Sequence, residues 1–183
     1  MAATVLINRW TGAVGSPTQT NITSLNTRAT NDDGSTPTGS PITNPLPIPG
    51  AGQNLSYWVV TRLYVTSPPA TSINNIKFYT DGGSFGAGVY GSVLQATAYI
   101  QAVGSQGISG TALNTVNYSA SLASYPVSYS TVVVGSPISV SGSTGGSGTG
   151  HLGNFIIYQL AADNTASPGP STQRTFTWQY DET

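Results

Sequence analysis

Leu55-Ser56-Tyr57-Trp58-Val59-Val60-Thr61-Arg62-Leu63-Tyr64-Val65-Thr66 is the stretch that decides the fold class. In an extended chain successive side chains alternate between two faces. Leu55, Tyr57, Val59, Thr61, Leu63 and Val65 then share one face, and Ser56, Trp58, Val60, Arg62, Tyr64 and Thr66 the other. Both faces are largely apolar or aromatic, which predicts a strand covered on two sides. Pro68-Pro69 ends it.

The same reading extends outward in both directions. Ile73–Thr80 predicts a second strand, and Asp81-Gly82-Gly83 a sharp turn. Gly82–Gly91 is a glycine-rich loop with Phe85 and Tyr90 between its glycines, rings that either anchor a partner or fold back onto the sandwich rim. Val93–Val103 alternates at Leu94, Ala96, Ala98 and Ile100 without a helix cap, so it reads as a strand. Further strands are expected near Val116–Leu122, Ser130–Val134, Ile138–Ser141, Asn154–Leu160 and Arg174–Tyr180, with a low-complexity Gly/Ser spacer over Ser141–Gly150. Phe176, Trp178 and Tyr180 fall on one face of the last strand, an aromatic stripe that belongs to a core. Short strands between turn signals, with no convincing amphipathic helix, predict an all-β chain built as an antiparallel β-sandwich. Jelly-roll-like and Ig-like topologies stay open.

Residues 1–50 read differently. After a strand-like start (Thr4–Trp10) comes a Thr/Asn/Ser tract punctuated by Pro17, Pro37, Pro41, Pro45, Pro47 and Pro49. Proline alternating with apolar residues over Pro41–Gly50 favours extended backbone. The expectation is an extended arm over 1–50 and a sandwich domain over 51–183, the alternatives for 1–50 being a tail or strands folded into the domain itself. Ordering the arm on a neighbour would use its apolar teeth, Leu6, Ile7, Trp10, Ile22, Leu25, Ile42, Leu46 and Ile48.

Composition narrows the function. The chain has 5 Lys+Arg and 6 Asp+Glu in 183 residues, or 6% charged, against about 25% in an ordinary soluble domain. Side chains that carry most enzyme chemistry are scarce, and no basic stripe exists to neutralise phosphates. Nucleic-acid binding is therefore not expected. There is no cysteine, so neither a disulfide nor a thiolate metal site is possible. No apolar run is long enough for a membrane helix, and the start has no basic n-region, which reads as a cytoplasmic product. The Asn21-Ile22-Thr23, Asn54-Leu55-Ser56 and Asn117-Tyr118-Ser119 triplets are then chance matches to the glycosylation pattern.

A search for catalytic groups finds little. His151 is the single histidine, at the edge of the glycine spacer, and is read as a solvated or hydrogen-bonded residue. The carboxylates Asp32, Asp33, Asp81, Asp163, Asp181 and Glu182 form no spacing that brings two across a cleft. Asn31-Asp32-Asp33-Gly34-Ser35 resembles part of a calcium loop but lacks the alternating ligands and the terminal Glu, so it reads as a turn. Gly82–Gly91 has no following Lys-Ser/Thr and is not a phosphate loop. The chain is expected not to be an enzyme, with no cofactor and no metal.

The polar, proline-punctuated beginning, the Gly/Ser/Thr-rich β domain and the close on Phe176-Thr177-Trp178-Gln179-Tyr180-Asp181-Glu182 together resemble small virion proteins of tailed bacteriophages, in particular capsid decoration (cement) proteins. Asn75-Ile76-Lys77-Phe78-Tyr79-Thr80-Asp81-Gly82 is similar to strand-turn segments of phage structural proteins. The resemblance implies a structural protein on the outer capsid surface, assembled in the host cytoplasm. It also implies a homotrimer bound to the major capsid protein and stabilising the shell, without catalysis, nucleic acid or membrane. The residues expected to touch the partner are Trp10, Ile42, Leu46, Ile48, Phe85 and Tyr90. The alternatives are a tail, neck or fibre component, or a carbohydrate-binding or adhesion module that stacks sugars on Trp10, Trp58 or Trp178.

Overall fold

A computed structural model describes residues 2–27, 29–33, 44–101, 111–114, 118, 126–146 and 148–183. Among these residues the chain forms strands β1 (Thr4–Thr11), β2 (Thr18–Asn21), β3 (Gln53–Leu55), β4 (Val59–Ser67), β5 (Ser72–Thr80), β6 (Val89–Ala96), β7 (Val127–Ser128), β8 (Ile138–Ser139), β9 (Thr144–Gly145), β10 (Gly150–Asp163) and β11 (Phe176–Glu182). They make two antiparallel sheets. The larger runs β2-β1-β4-β10-β6-β7, with β3 also on β10; the smaller runs β11-β5-β8, with β9 also on β5. The all-β sandwich expected from the alternation is the observed fold.

The expected two-sided burial of β4 decides how the layers stack. Val59, Leu63 and Val65 point inward with Ile156 and Tyr158 of β10, Val93 of β6 and Ile73, Ile76 and Phe78 of β5, forming the core between the sheets. Val60 points outward and joins Trp58, Trp10, Leu94, Ala96, Phe155 and Ile157 in a second cluster on the far side of the larger sheet. Tyr99, Leu113 and Tyr118 cover that cluster. Polar groups fasten the cover. Trp58 Nε1 donates to the Thr111 carbonyl (3.1 Å), and the Tyr99 hydroxyl to the Gly12 carbonyl (2.7 Å). The Gln159 amide group donates to the carbonyls of Ser56 (2.7 Å) and Thr111 (2.9 Å) and accepts from the Leu113 N–H (2.7 Å). A buried amide so satisfied costs little and fixes the cover in one place.

The structure departs from the sequence reading at several points, each with a local cause. The 55–66 run is interrupted at 56–58: β3 and β4 both pair with β10, Leu55 opposite Ala161 and Val59 opposite Tyr158. Ser56 bridges the interruption, its Oγ accepting the Leu160 N–H at 3.0 Å. β6 starts at Val89, inside the expected glycine loop, and stops at Ala96, so the chain leaves the sheet before Ile100. Gly91 is what allows this start. A Cβ there would lie 2.9 Å from Tyr129 Cβ and 3.0 Å from Phe85 Cε2, which pack on the sheet at that point. The strand expected at Ser130–Val134 is a 3-10 turn over Tyr129–Thr131 followed by a single bridge, Val133 to Thr80. The Ser141–Gly150 spacer contains β9, paired with β5 at Ser72 and Ile73. The strand expected at Val116–Leu122 lies, apart from Tyr118, outside the described residues.

The arm expected over 1–50 is corrected over its first part. β1 lies inside the larger sheet, paired from Thr4 to Trp10 with β4 and from Asn8 to Thr11 with β2. Arg9 is almost fully buried there and Val5 and Ile7 pack on the inter-sheet core. A strand that fills an interior position belongs to the domain. Farther along, the Tyr57 N–H donates to the Thr30 carbonyl and the Asn31 N–H to the Asn44 carbonyl, so residues 30 and 44 also lie on the domain. The boundary at residue 50 is not a structural break.

Candidate functional site

An open cavity of ≈ 1090 Å³ touches both sheets. The larger sheet contributes Ile7, Thr61, Tyr158, Leu160 and Ala162; the smaller contributes Phe78, Phe176 and Trp178. Segments 22–27, 45–48 and 166–175, with Ala29, Phe85 and Val89, form the rest of the wall. The size lies at the upper end of what ligand sites enclose, about 300–1,000 Å³. It exists because the smaller sheet is narrower than the larger one, so part of the larger sheet's inner face has no strand across from it.

Inside, aromatic packing is tight on one side. The rings of Tyr158 and Phe176 stack at 4.5 Å with 20° between planes, and Trp178 meets Phe78 edge-on at 5.4 Å. Burial pushes the Tyr158 hydroxyl pKa up, against a smaller opposite pull from its hydrogen bond with Thr27 (3.2 Å) and the Arg9 charge. That hydroxyl stays protonated at neutral pH. Gln173 Nε2 donates to Asn26 Oδ1 at 2.8 Å, tying two walls together. Among the described lining residues Arg174 is the single charged side chain and no carboxylate is present. Leu25 and Ile48 line the same cavity yet are 49% and 38% exposed.

The acidic residues are structural. Asp81 Oδ1 accepts from the Tyr129 hydroxyl (2.7 Å) and the Gly83 N–H (3.1 Å); Oδ2 accepts from the Thr175 N–H (3.1 Å) and lies 3.8 Å from Arg174 Nη1. Desolvation pushes this carboxyl upward, but the hydrogen bonds and Arg174 outweigh it, leaving its pKa below the ordinary range. The residue joins the end of β5, the 3-10 turn and the approach to β11. Asp163 accepts from the backbone and hydroxyl of Thr165 and from Tyr90 Oη (3.0 Å). In the fragment read as calcium-like, Asp33 Oδ2 accepts from the Gly12 N–H (2.7 Å) and from Gln101 Nε2 (3.0 Å), and Asp32 accepts from the Asn44 amide. These carboxylates hold turns, and among the described residues no group of three metal-ligating side chains assembles.

His151 lies on the outer face of the larger sheet. Its ring is exposed on one side and packs against Trp10 (5.0 Å) and Tyr64 (5.1 Å) on others. Desolvation first, and the Arg62 charge second, hold its pKa below 6.5. Arg62 itself stacks on Phe155, 4.8 Å from the ring centroid, and donates through Nε to the Gly153 carbonyl (2.7 Å). No carboxylate stands beside the imidazole to form a charge relay with it among the interactions of the described residues.

Of the expected partner-binding residues, two are buried in the described structure. Trp10 is 9% exposed within the outer cluster, against Tyr99 (5.6 Å) and Phe155 (5.0 Å). Phe85 is 7% exposed and packs on Tyr129 at 4.6 Å. Glycines around a ring read as exposure in a sequence, yet here they let the ring sink onto the sheet. Tyr90 is exposed, with its hydroxyl donated to Asp163; Leu46 and Ile48 line the cavity; Ile42 lies outside the described residues. The three tryptophans form no sugar-stacking row: Trp10 and Trp58 are buried and Trp178 is half-buried on the core. The sequence reading missed Leu25 as a mouth residue in its own right and missed the cavity altogether, since no local pattern records which strand ends at a sheet edge. Compared with known proteins, the chain matches no family profile, no curated protein and no solved structure.

Proposed function

We propose that the chain is a non-catalytic structural protein that binds a partner surface through the open cavity and its apolar mouth, in the manner of a decoration protein on a phage capsid. The observation that carries this is the pair Leu25 and Ile48, exposed at the rim of a cavity whose described lining has one cation and no carboxylate. Such a surface gains from association by burying apolar area. The low charge of the chain adds to the reading, because an interface without ion pairs depends little on salt. The partner in this reading is the major capsid protein, and the protein acts as a homotrimer at symmetric positions of the shell.

Two measurements test it. The solution mass of the purified protein is determined, and the protein is then sedimented with empty phage heads. A trimer that saturates heads at fixed stoichiometry supports the reading. A monomer that stays in the supernatant at every salt concentration removes it.

A further inference from the structure

β11 is the last strand of the smaller sheet on its side, and its outer edge carries no partner strand among the described residues. The alternation of an antiparallel ladder tells which backbone groups face that edge. On the opposite side of β5, the Val140 N–H donates to the Ile76 carbonyl, and the Thr80 N–H to the Val132 carbonyl. The even-numbered residues of this stretch of β5 therefore turn their backbone groups away from β11, and Lys77 and Tyr79 turn theirs toward it. Their partners are Gln179 and Thr177. The Asp81 N–H bonded to the Thr175 carbonyl continues the same pattern. It follows that the N–H and C=O groups of Phe176 and Trp178 point to the open edge.

The side chains of Phe176 and Trp178 line the cavity, and so do Ile7 of the larger sheet and the 22–27 segment beyond. Backbone donors and acceptors on one wall thus meet an apolar hollow of ≈ 1090 Å³ beside them. We propose that this is a strand-docking groove, in which an extended segment of another polypeptide chain pairs antiparallel with β11 and seats alternate apolar side chains in the cavity. The inference goes beyond the particle-surface reading and holds for any partner chain that carries such a segment.

Charge favours one polarity of the segment. Arg174 lies two residues before β11, beside Asp81 (3.8 Å) and with its Nε buried and unbonded among the described residues, and Asp181 and Glu182 stand at the other end, accepting from the Asn75 amide and the Ala3 N–H. An antiparallel partner then has a basic residue at its own N-terminal end and an acidic one at its C-terminal end, with none between, since an unpaired charge in the hollow would be desolvated. A lipid tail would fill the hollow but leave the edge amides unmet; only a strand offers carbonyls at strand spacing.

The test pans the purified protein against a display library of randomised short peptides, then measures amide hydrogen exchange along β11 with the enriched peptides bound. Enrichment of alternating apolar sequences, basic first and acidic last, is expected. Binding should slow exchange at Phe176 and Trp178 by about tenfold or more, and Leu25→Asp should weaken it by about tenfold. The melting temperature of Leu25→Asp, an exposed-site change, checks that the variant is folded. Enriched peptides without that pattern, or peptides that bind and leave those amides unprotected, would overturn the proposal. So would protection that appears in a dimer of the protein alone, which would make a second copy the occupant. Displacement of the enriched peptides by dodecanoate, with the edge amides no more protected by peptide than by dodecanoate, would make the hollow a lipid site and equally end it.

Discussion

The interior of this sandwich has two unlike halves. Where β8 and β9 flank β5, the gap between sheets is filled: Ile76, Val140, Leu152 and Ile156 are at most 4% exposed. Where β11 ends the smaller sheet, the same two sheets enclose a cavity, and Leu25 and Ile48 stand at its mouth. Both halves are lined by similar side chains. The difference comes from the number of strands available to cover the larger sheet, so closure here is a matter of topology more than of hydrophobicity.

Substitutions on the two sides should separate the halves. The largest effect is expected in the closed half, where Ile156→Ala removes a fully buried side chain that β4 and β6 cannot follow inward; a loss of about 2–5 kcal/mol in denaturant titration is expected. Gly153→Val comes next. Its φ is +71° and a Cβ would sit 3.2 Å from Val140 Cγ1 and 3.3 Å from Ile76 Cδ1, so strain and overpacking combine to about 1–3 kcal/mol by the same titration. Asp81→Asn loosens the junction between the halves. Because this carboxylate is partly exposed, about 1 kcal/mol is expected, read as a lower melting temperature at neutral pH. In the open half Leu25→Ala should change stability by less than about 0.5 kcal/mol, since half of the side chain already meets water. An equal loss for Leu25→Ala and Ile156→Ala would dissolve the distinction.

The smallest effect concerns pH. The His151 pKa is lower in the folded chain than its ordinary 6.5. Between those two values the unfolded chain binds the proton and the folded chain does not, so stability is complete above pH 6.5 and falls as the pH drops through the folded value. His151→Gln should flatten that part of a melting-temperature profile. Asp81 acts in the same direction at lower pH: its pKa lies below 3.8 in the fold, so its share persists above that value and is lost on further acidification.

Strand existence was legible in the sequence wherever burial follows a period of two. Ile73–Thr80 was expected and Ser72–Thr80 is observed; the two faces of Val59–Val65 divide between two clusters as the alternation requires. Burial set by partners far along the chain was not legible. Trp10 and Phe85 lie in glycine- or polar-rich surroundings that read as exposed, yet Tyr99, Phe155 and Tyr129 cover them from distant segments. The cavity was invisible for the same reason. The side chains of Phe176 and Trp178 form an ordinary core stripe, and only the pairing order shows that β11 has no partner strand on its outer side among the described residues.

The pairing order also has a consequence for how the chain reaches this state. β1 pairs with β4 some distance away, β4 and β6 both wait for β10, and β5 waits for β11. The central position of the larger sheet is thus taken by β10, which follows β1, β4 and β6 in the sequence. Until Gly150–Asp163 arrives, β4 has only β1 beside it, and the β10-facing edges of β4 and β6 stay unpaired. Loops of that length must close before any contact rewards them, which predicts slow refolding, in milliseconds to seconds, through a nascent chain with unpaired edges. A sequence so poor in charge has little electrostatic repulsion to keep such chains apart during that interval, so yield on refolding should fall steeply with concentration.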